Sequence, residues 1–339
     1  MANVIIGIHG LGNKPTKEVL EHWWKQAMIE GLKSNQYKTL LPKFELVYWS
    51  DIVHEKPLDL NETDENSPYF LDEKYTKAAD NFPAEDHSTL RKVIDFINRQ
   101  LHQIFLNDDL TLNYSYIADT IISKYFKDLE IYYTEDCTLE NEATCKAKEL
   151  IKQRLITVLE KYKKHQIMLV AHSMGSIIAF DVLRFVAPQI PIDTLVTIGS
   201  PLGLPVVISK IAAEQKLNHQ HFNHMVTPQS VTKNWFNFSD ILDKVAFSYN
   251  LSAEFKENNS GVKPIDFLVV NNYEINENRN PHKSFGYLRT PEFSKVLNEF
   301  ILSERINLKQ KIVRIASQII QKIGQPVAPK QTTTTNQPN

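Results

Sequence analysis

Residues 167–180 read Ile-Met-Leu-Val-Ala-His-Ser-Met-Gly-Ser-Ile-Ile-Ala-Phe. The first five are apolar, and such a short run predicts a strand covered on both faces. A helical pattern follows Gly175. Between the two, residues 171–175, Ala-His-Ser-Met-Gly, have the G-x-S-x-G spacing of a strand–turn–helix elbow, with alanine for the first glycine. The spacing has a steric cause. Ser173 sits on a strained turn, so the positions two before and two after it must be small or their side chains collide. Ala171 and Gly175 meet that need, and Ser176 and Ala179 keep the new helix close to the sheet. The helix N-terminus adds free N–H groups and a positive dipole end, which suit the anion formed when a carbonyl is attacked. The stretch points to Ser173 as a nucleophile. It also points to the Met174 N–H as one of two oxyanion donors, with His172 and Gly175 in support.

The second donor is expected from a loop after an early strand. Val4 to Ile8 is a near-continuous apolar run that predicts such a strand, and it leads into His9-Gly10-Leu11-Gly12. Leu11 N–H is the preferred donor and Gly12 N–H the second choice, with His9 and Gly10 supporting. A phosphate-binding reading of this Gly-rich turn fails on spacing. Gly10 and Gly12 are followed by Pro15, so G-x-G-x-x-G is absent, and no Walker pattern occurs.

An acid and a base should follow the serine in that order along the chain. Residues 235–246, Trp-Phe-Asn-Phe-Ser-Asp-Ile-Leu-Asp-Lys-Val-Ala, offer Asp240 and Asp243 after a strand-like run. Asp243 is favoured because a short acid loop usually ends by entering a helix through an apolar residue, which Asp243-Lys-Val-Ala fits. Asp240 stands as the alternative acid, and the unused carboxylate is expected to cap a helix or turn. His282 is the one histidine beyond both, in the turn-prone loop Asn280-Pro-His-Lys-Ser. The carboxylate's task is to hold the imidazole tautomer and stabilise the imidazolium. A rival cluster, His219, His221 and His224, invites a metal reading. It has no accompanying carboxylate pattern or cysteine pair, and His-Glu-x-x-His is absent, so a solvated loop is expected. No metal or cofactor is required.

Further strands are expected at Phe44–Trp49, Leu195–Ile198, Trp235–Phe238 and Phe267–Val270, with helical patterns such as 17–33 between most of them. Alternating strands and helices predict an α/β chain with a doubly wound, mostly parallel sheet. One connection is too long for a simple crossover. Residues 51–87 are acidic and rich in Asn and Pro, and helical spacing follows at 90–105 and 117–125. Residues of about 52–127 therefore read as an inserted helical cap, either extra packing surface or a lid over an apolar pocket. Residues 147–162 form the crossover helix into the Ser173 strand. The main α/β domain is expected to span 1–303. Residues 304–324 form a C-terminal amphipathic helix, with a stripe at Ile312, Ile315, Ala316, Ile319 and Ile323, which packs on the parent domain or makes peripheral membrane contact. The polar tail 325–339 is expected to be disordered.

Composition excludes little beyond this. The 339 residues carry 42% hydrophobic and 23% charged side chains and a net charge of −2, so nothing points to nucleic acid. No run is long enough to span a bilayer. The N-terminus reads as a strand rather than a signal peptide, and Cys137 and Cys145 suggest no disulfide framework; a cytoplasmic location is expected.

Taken together, residues 171–176, Ala-His-Ser-Met-Gly-Ser, resemble the elbow of lipase-like α/β-hydrolases, including relatives of the GPI inositol-deacylase type. Residues 198–204, Ile-Gly-Ser-Pro-Leu-Gly-Leu, resemble the Gly-Ser-Pro segment of that branch. Asn237 to Ala246 resembles its acid loop and His282 to Tyr287 its histidine loop. The matches are patchy over residues 4–290, and the cap matches nothing comparable. The resemblance implies an α/β-hydrolase fold with Ser173, Asp243 and His282 as triad and Leu11 and Met174 as oxyanion donors. It also implies a lipase or esterase acting on a lipid or other acyl ester. A thioesterase or amidase with the same triad, or a non-catalytic lipid- or partner-binding relative, are the competing expectations.

Overall fold

A computed structural model describes residues 2–79, 147–217, 225–246 and 248–304. The chain runs β1 (Asn3–Ile8), α1 (Lys17–Ser34), β2 (Lys43–Val47), the single turn α2 (Ser50–Val53), α3 (Ala147–Tyr162), β3 (Gln166–His172) and α4 (Met174–Asp181). It continues through β4 (Ile192–Ile198), α5 (Pro205–Leu217), β5 (Val231–Ser239), α6 (Leu251–Glu254), β6 (Pro264–Leu268) and α7 (Ser284–Tyr287) to α8, residues 291–304. These six strands form the main sheet in the order β2-β1-β3-β4-β5-β6, and two short two-stranded pairs lie outside it. Every neighbouring pair in the main sheet is parallel, so the chain has an α/β fold.

Burial explains the apolar runs. Ile5, Met168, Val170, Val196 and Phe238 face α1 and α8, where Trp24, Met28, Phe293 and Leu297 meet them. Ile6, Ile8, Leu169, Ala171 and Leu195 face the other way, against Ile151 and Leu155 of α3, Ile177 of α4 and Ile208 of α5. Each fully buried side chain of this size contributes about 1.5–3 kcal/mol, so stability resides mainly in these two layers. The strand order reverses direction between β1 and β3, and in an open parallel sheet a crevice opens there beyond the carboxyl ends of the strands. His9 follows β1 and Ser173 follows β3 at that point.

The open rim of the sheet is partly closed by a side chain: Glu21 of α1 accepts the Leu46 N–H of β2 through Oε2 at 3.3 Å. The sequence expectations placed all six strands but missed several boundaries. β2 stops before Trp49, which turns inward. β4 begins three residues before Leu195, where Asp193 breaks the apolar pattern. β6 lies at 264–268 rather than 267–270, because Pro264 and Asp266 hide it. A proline at the first residue of an edge strand forfeits no ladder bond. Asp266 is retained as an anchor that accepts the N–H groups of Leu251 and Ser252 at 3.1 and 2.9 Å.

Of the inserted segment, residues 54–79 are described. They form no regular helix, as the Asn/Pro-rich composition predicts, but 71–78 is a strap pinned to the molecule. Leu71 is buried. Tyr273 OH donates to the Lys74 carbonyl at 2.6 Å, Arg289 Nη1 to the Thr76 carbonyl at 2.6 Å, and Ala78 N–H to Glu30 Oε1 at 2.7 Å. The expected cap helices at 90–105 and 117–125, both cysteines, His219, His221 and His224, and residues 305–339 with their amphipathic stripe lie outside the described residues. Among the described residues no helix is long and apolar enough to cross a membrane.

Candidate active site

β3 delivers Ser173 onto a turn with φ 54° and ψ −128°, a conformation that L-residues with a side chain rarely adopt. The next residue already opens α4, so Met174 N–H is among the helix donors left without an intrahelical acceptor. The turn is held by Ser173 N–H donating to the Ile198 carbonyl at 3.1 Å. On its far side Ser176 Oγ donates to the Ser173 carbonyl at 2.6 Å. A glycine at position 10 is a steric necessity: a Cβ there would stand 2.5 Å from the Ser173 Cβ. A Cβ at position 175 would likewise stand 2.7 and 2.8 Å from the carbonyl oxygens of Ile8 and His9.

The three residues singled out from chain order meet at this turn. His282 Nε2 lies 3.0 Å from Ser173 Oγ. His282 Nδ1 lies 2.8 and 3.0 Å from the two carboxylate oxygens of Asp243. Since the carboxylate only accepts, Nδ1 carries the proton and Nε2 is free to accept from the serine. Asp243 is fully buried, and its charge is met from several sides. Val245 and Ala246 N–H groups donate to Oδ1 at 2.9 and 3.3 Å, and Tyr287 OH donates to Oδ2 at 2.7 Å. Burial, then the Asp243 charge, push the Tyr287 hydroxyl well above its usual range, so it stays a donor.

Asp240 does not reach His282. It accepts Leu242 N–H at 2.8 Å, Asn271 N–H at 2.6 Å and Arg279 Nη2 at 2.7 Å. Burial raises its carboxyl despite those donors. The two aspartates thus divide, one on the imidazole and the other tying down the turn ahead of the histidine loop. The helix expected directly after Asp243 is not there, because residues 244–246 form a bend whose N–H groups turn back onto the carboxylate.

Two neutral imidazoles flank the serine. His9 is stacked on Trp49, with centroids 4.8 Å apart and planes at 12°. Trp49 N–H can only donate, so His9 Nε2 accepts it at 3.0 Å and Nδ1 donates to the Gly10 carbonyl at 2.9 Å. Burial, then the Lys14 ammonium, lower its pKa to about 3. The Gly10 carbonyl is drawn toward His9, and because the peptide is trans, the Leu11 N–H points the opposite way. Lys14 Nζ donates to the carbonyls of Leu11, Gly12 and Asn13 and sets the rest of this loop. His172 donates from Nε2 to the His282 carbonyl at 2.8 Å. Burial, then the neighbouring His282, hold it well below the usual histidine range.

These buried imidazoles set an acid sensitivity. An unfolded histidine titrates near 6.5, and folded His9 near 3, so the unfolded chain binds the extra proton between those values. Stability contributed by neutral His9 is complete above about pH 6.5 and drains as pH falls toward 3, with a slope of at most ~1.4 kcal/mol per unit. His172 acts in the same direction. Urea midpoints of the wild type should fall on going from pH 7 to pH 4.5, and His9→Gln should lose less over the same interval.

Sequence reading missed residues that act at a distance in the chain. Gly199 adopts φ 55°, and a Cβ there would sit 3.0 Å from Asp243 Oδ2 and 3.2 Å from His282 Nδ1. Gly199→Ala is expected to cost about 1–2 kcal/mol for the left-handed backbone. By wedging Asp243 from His282 it should also slow chemistry at Ser173 on the order of 100-fold. Thermal unfolding and the rate of Ser173 modification by a fluorophosphonate read the two effects separately. Asn271 Nδ2 donates to the carbonyls of Pro281 and Lys283 at 2.9 and 2.8 Å, bracketing His282. The one signal for Gly199 was the Gly-Ser-Pro run; Asn271 and Trp49 carried none.

No family model matches this chain, and none of the curated proteins does. The functional reading therefore stands on geometry. Among the described residues, no group of His, Cys, Asp and Glu side chains could hold a metal ion.

Proposed function

We propose that the chain is a serine hydrolase of the α/β-hydrolase fold, in the lipase/esterase-like branch, that cleaves a carboxylic ester of a lipid or other acyl compound. The observation that carries this reading is the unbroken relay from Ser173 Oγ to His282 Nε2 at 3.0 Å and from His282 Nδ1 to Asp243 at 2.8 Å. Support comes from the strained turn that lifts the serine out of its strand.

In the proposed reaction Ser173 Oγ attacks the ester carbonyl while His282 Nε2 takes the hydroxyl proton. Buried Asp243 steadies the imidazolium. The carbonyl oxygen gains negative charge and is received by the N–H groups of Met174 and Leu11, each contributing about 3 kcal/mol to the transition state. His282 returns its proton to the departing alcohol. Water, deprotonated by His282, then splits the acyl-enzyme and releases the acid.

The test is a panel of p-nitrophenyl esters of increasing acyl length, run beside a matched thioester and amide and a fluorophosphonate probe. Probe modification of Ser173 with fastest turnover of the esters is expected. A protein that hydrolyses none of them and takes up no probe is a binding relative, not an enzyme. Preference for the thioester moves the reading to another acyl bond with the same residues.

A further inference from the structure

The base of the relay is held in part by the inserted strap, through a carboxylate that chain order gave no reason to single out. His282 sits in a short loop whose ring is 28% exposed, so the backbone on either side has to set its position. His282 N–H donates to Asn280 Oδ1 at 2.9 Å. Asn280 in turn donates from Nδ2 to Glu73 Oε1. On the other side of the histidine, Lys283 Nζ donates to Glu73 Oε2 at 2.6 Å. One carboxylate thus grips the residue two before His282 and the residue one after it. The grip is charge-assisted and two-pronged, the geometry that best fixes orientation. Burial alone would raise the Glu73 carboxyl, but the Lys283 ammonium and the Asn280 amide outweigh it and hold it below the usual range. The strap is in turn secured to the body, where Tyr75 OH donates to Glu30 at 2.5 Å.

We infer that Glu73 is a positioning residue for the proposed reaction: it clamps Asn280 and Lys283 so that the His282 ring meets Ser173. It touches no reacting atom and acts only through the histidine loop. The inference rests on the reading of His282 as the base. Its consequence is that the strap at residues 71–78 is part of the working site.

The experiment compares full-length Glu73→Ala and Glu73→Gln with wild type. It reads kcat and KM on a p-nitrophenyl ester, with active serines counted by saturating fluorophosphonate. It also reads hydrogen exchange of amides 280–284. Glu73→Ala is expected to lower kcat per labelled serine about tenfold, with KM within about twofold. Exchange at the His282 amide should quicken about tenfold. Glu73→Gln keeps an acceptor for one of the two donors and should recover part of both. Counting per labelled serine removes unfolded molecules from the comparison. Wild-type kcat per labelled serine in Glu73→Ala overturns the inference, as does a loss confined to KM. If the wild type itself neither labels nor turns over ester, the hydrolase reading fails. The exchange comparison still reports on the clamp, and unchanged exchange at His282 in both variants overturns it.

Discussion

Ser173→Ala is expected to lower ester turnover by about six orders of magnitude while leaving the fold intact. Loss of a serine nucleophile from such a relay costs about as much as loss of the whole relay, because the groups act as one unit. What survives is the slow reaction that the oxyanion donors and binding alone can support. The hydroxyl contributes little to stability, since among the described residues Oγ meets only His282 Nε2, and that ring has access to water. Ser173→Gly sharpens the point. Backbone at φ 54° is unfavourable for any side chain, whereas glycine adopts it freely. The glycine variant should therefore be equally inactive yet more stable than wild type by about 1–3 kcal/mol. Single-turnover kinetics and urea unfolding measure the two quantities. A glycine variant less stable than wild type would mean that the turn is not strained.

Asp243→Asn carries the second largest expected effect, a fall in kcat of about ten-thousand-fold. The backbone N–H groups of Val245 and Ala246 hold Oδ1, so an asparagine there would keep its oxygen toward them. Its NH2 would then face His282 Nδ1. The imidazole would have to place its proton on Nε2 and could no longer take one from Ser173. Asp240→Asn should do the opposite. It leaves the relay untouched and removes the ion pair with Arg279, so activity per folded molecule is retained while stability falls by about 2 kcal/mol. Reversed outcomes in the two variants would make Asp240 the working acid.

The two aspartates show what was legible beforehand. Strand-forming runs, the small residues around Ser173 and the Ser–Asp–His order are local or one-dimensional features, and a chain records them in place. The preference for Asp243 over Asp240 rested on a helix expected after it, and residues 244–246 form a bend instead. Boundaries were lost where a polar residue serves the structure inside a strand, as Asp266 does in β6 and Asp193 in β4. The supports of the site were lost for a different reason. Tyr287 meets Asp243 across 44 residues, Arg279 meets Asp240 across 39, and Lys283 meets Glu73 across 210. Such pairings depend on which loops the sheet order brings together, and no periodicity or spacing announces them. The inserted strap read as irregular from its composition, and irregular it is. Its anchoring, however, depends on side chains of α1 and of the loops after β6.

The three residues of the relay follow three different strands, β3, β5 and the edge strand β6. A chain growing from its N-terminus can build β1 to β4, with the serine already lifted on its turn, long before residue 282 has been synthesised. On the proposed reading, such a half-made molecule has a nucleophile and nothing to activate it, so it is chemically silent toward its surroundings. Hydrolysis would begin only when the last strand docks. In a refolding experiment the return of ester turnover would then lag the return of helical signal, and the delay would time the closing of that edge.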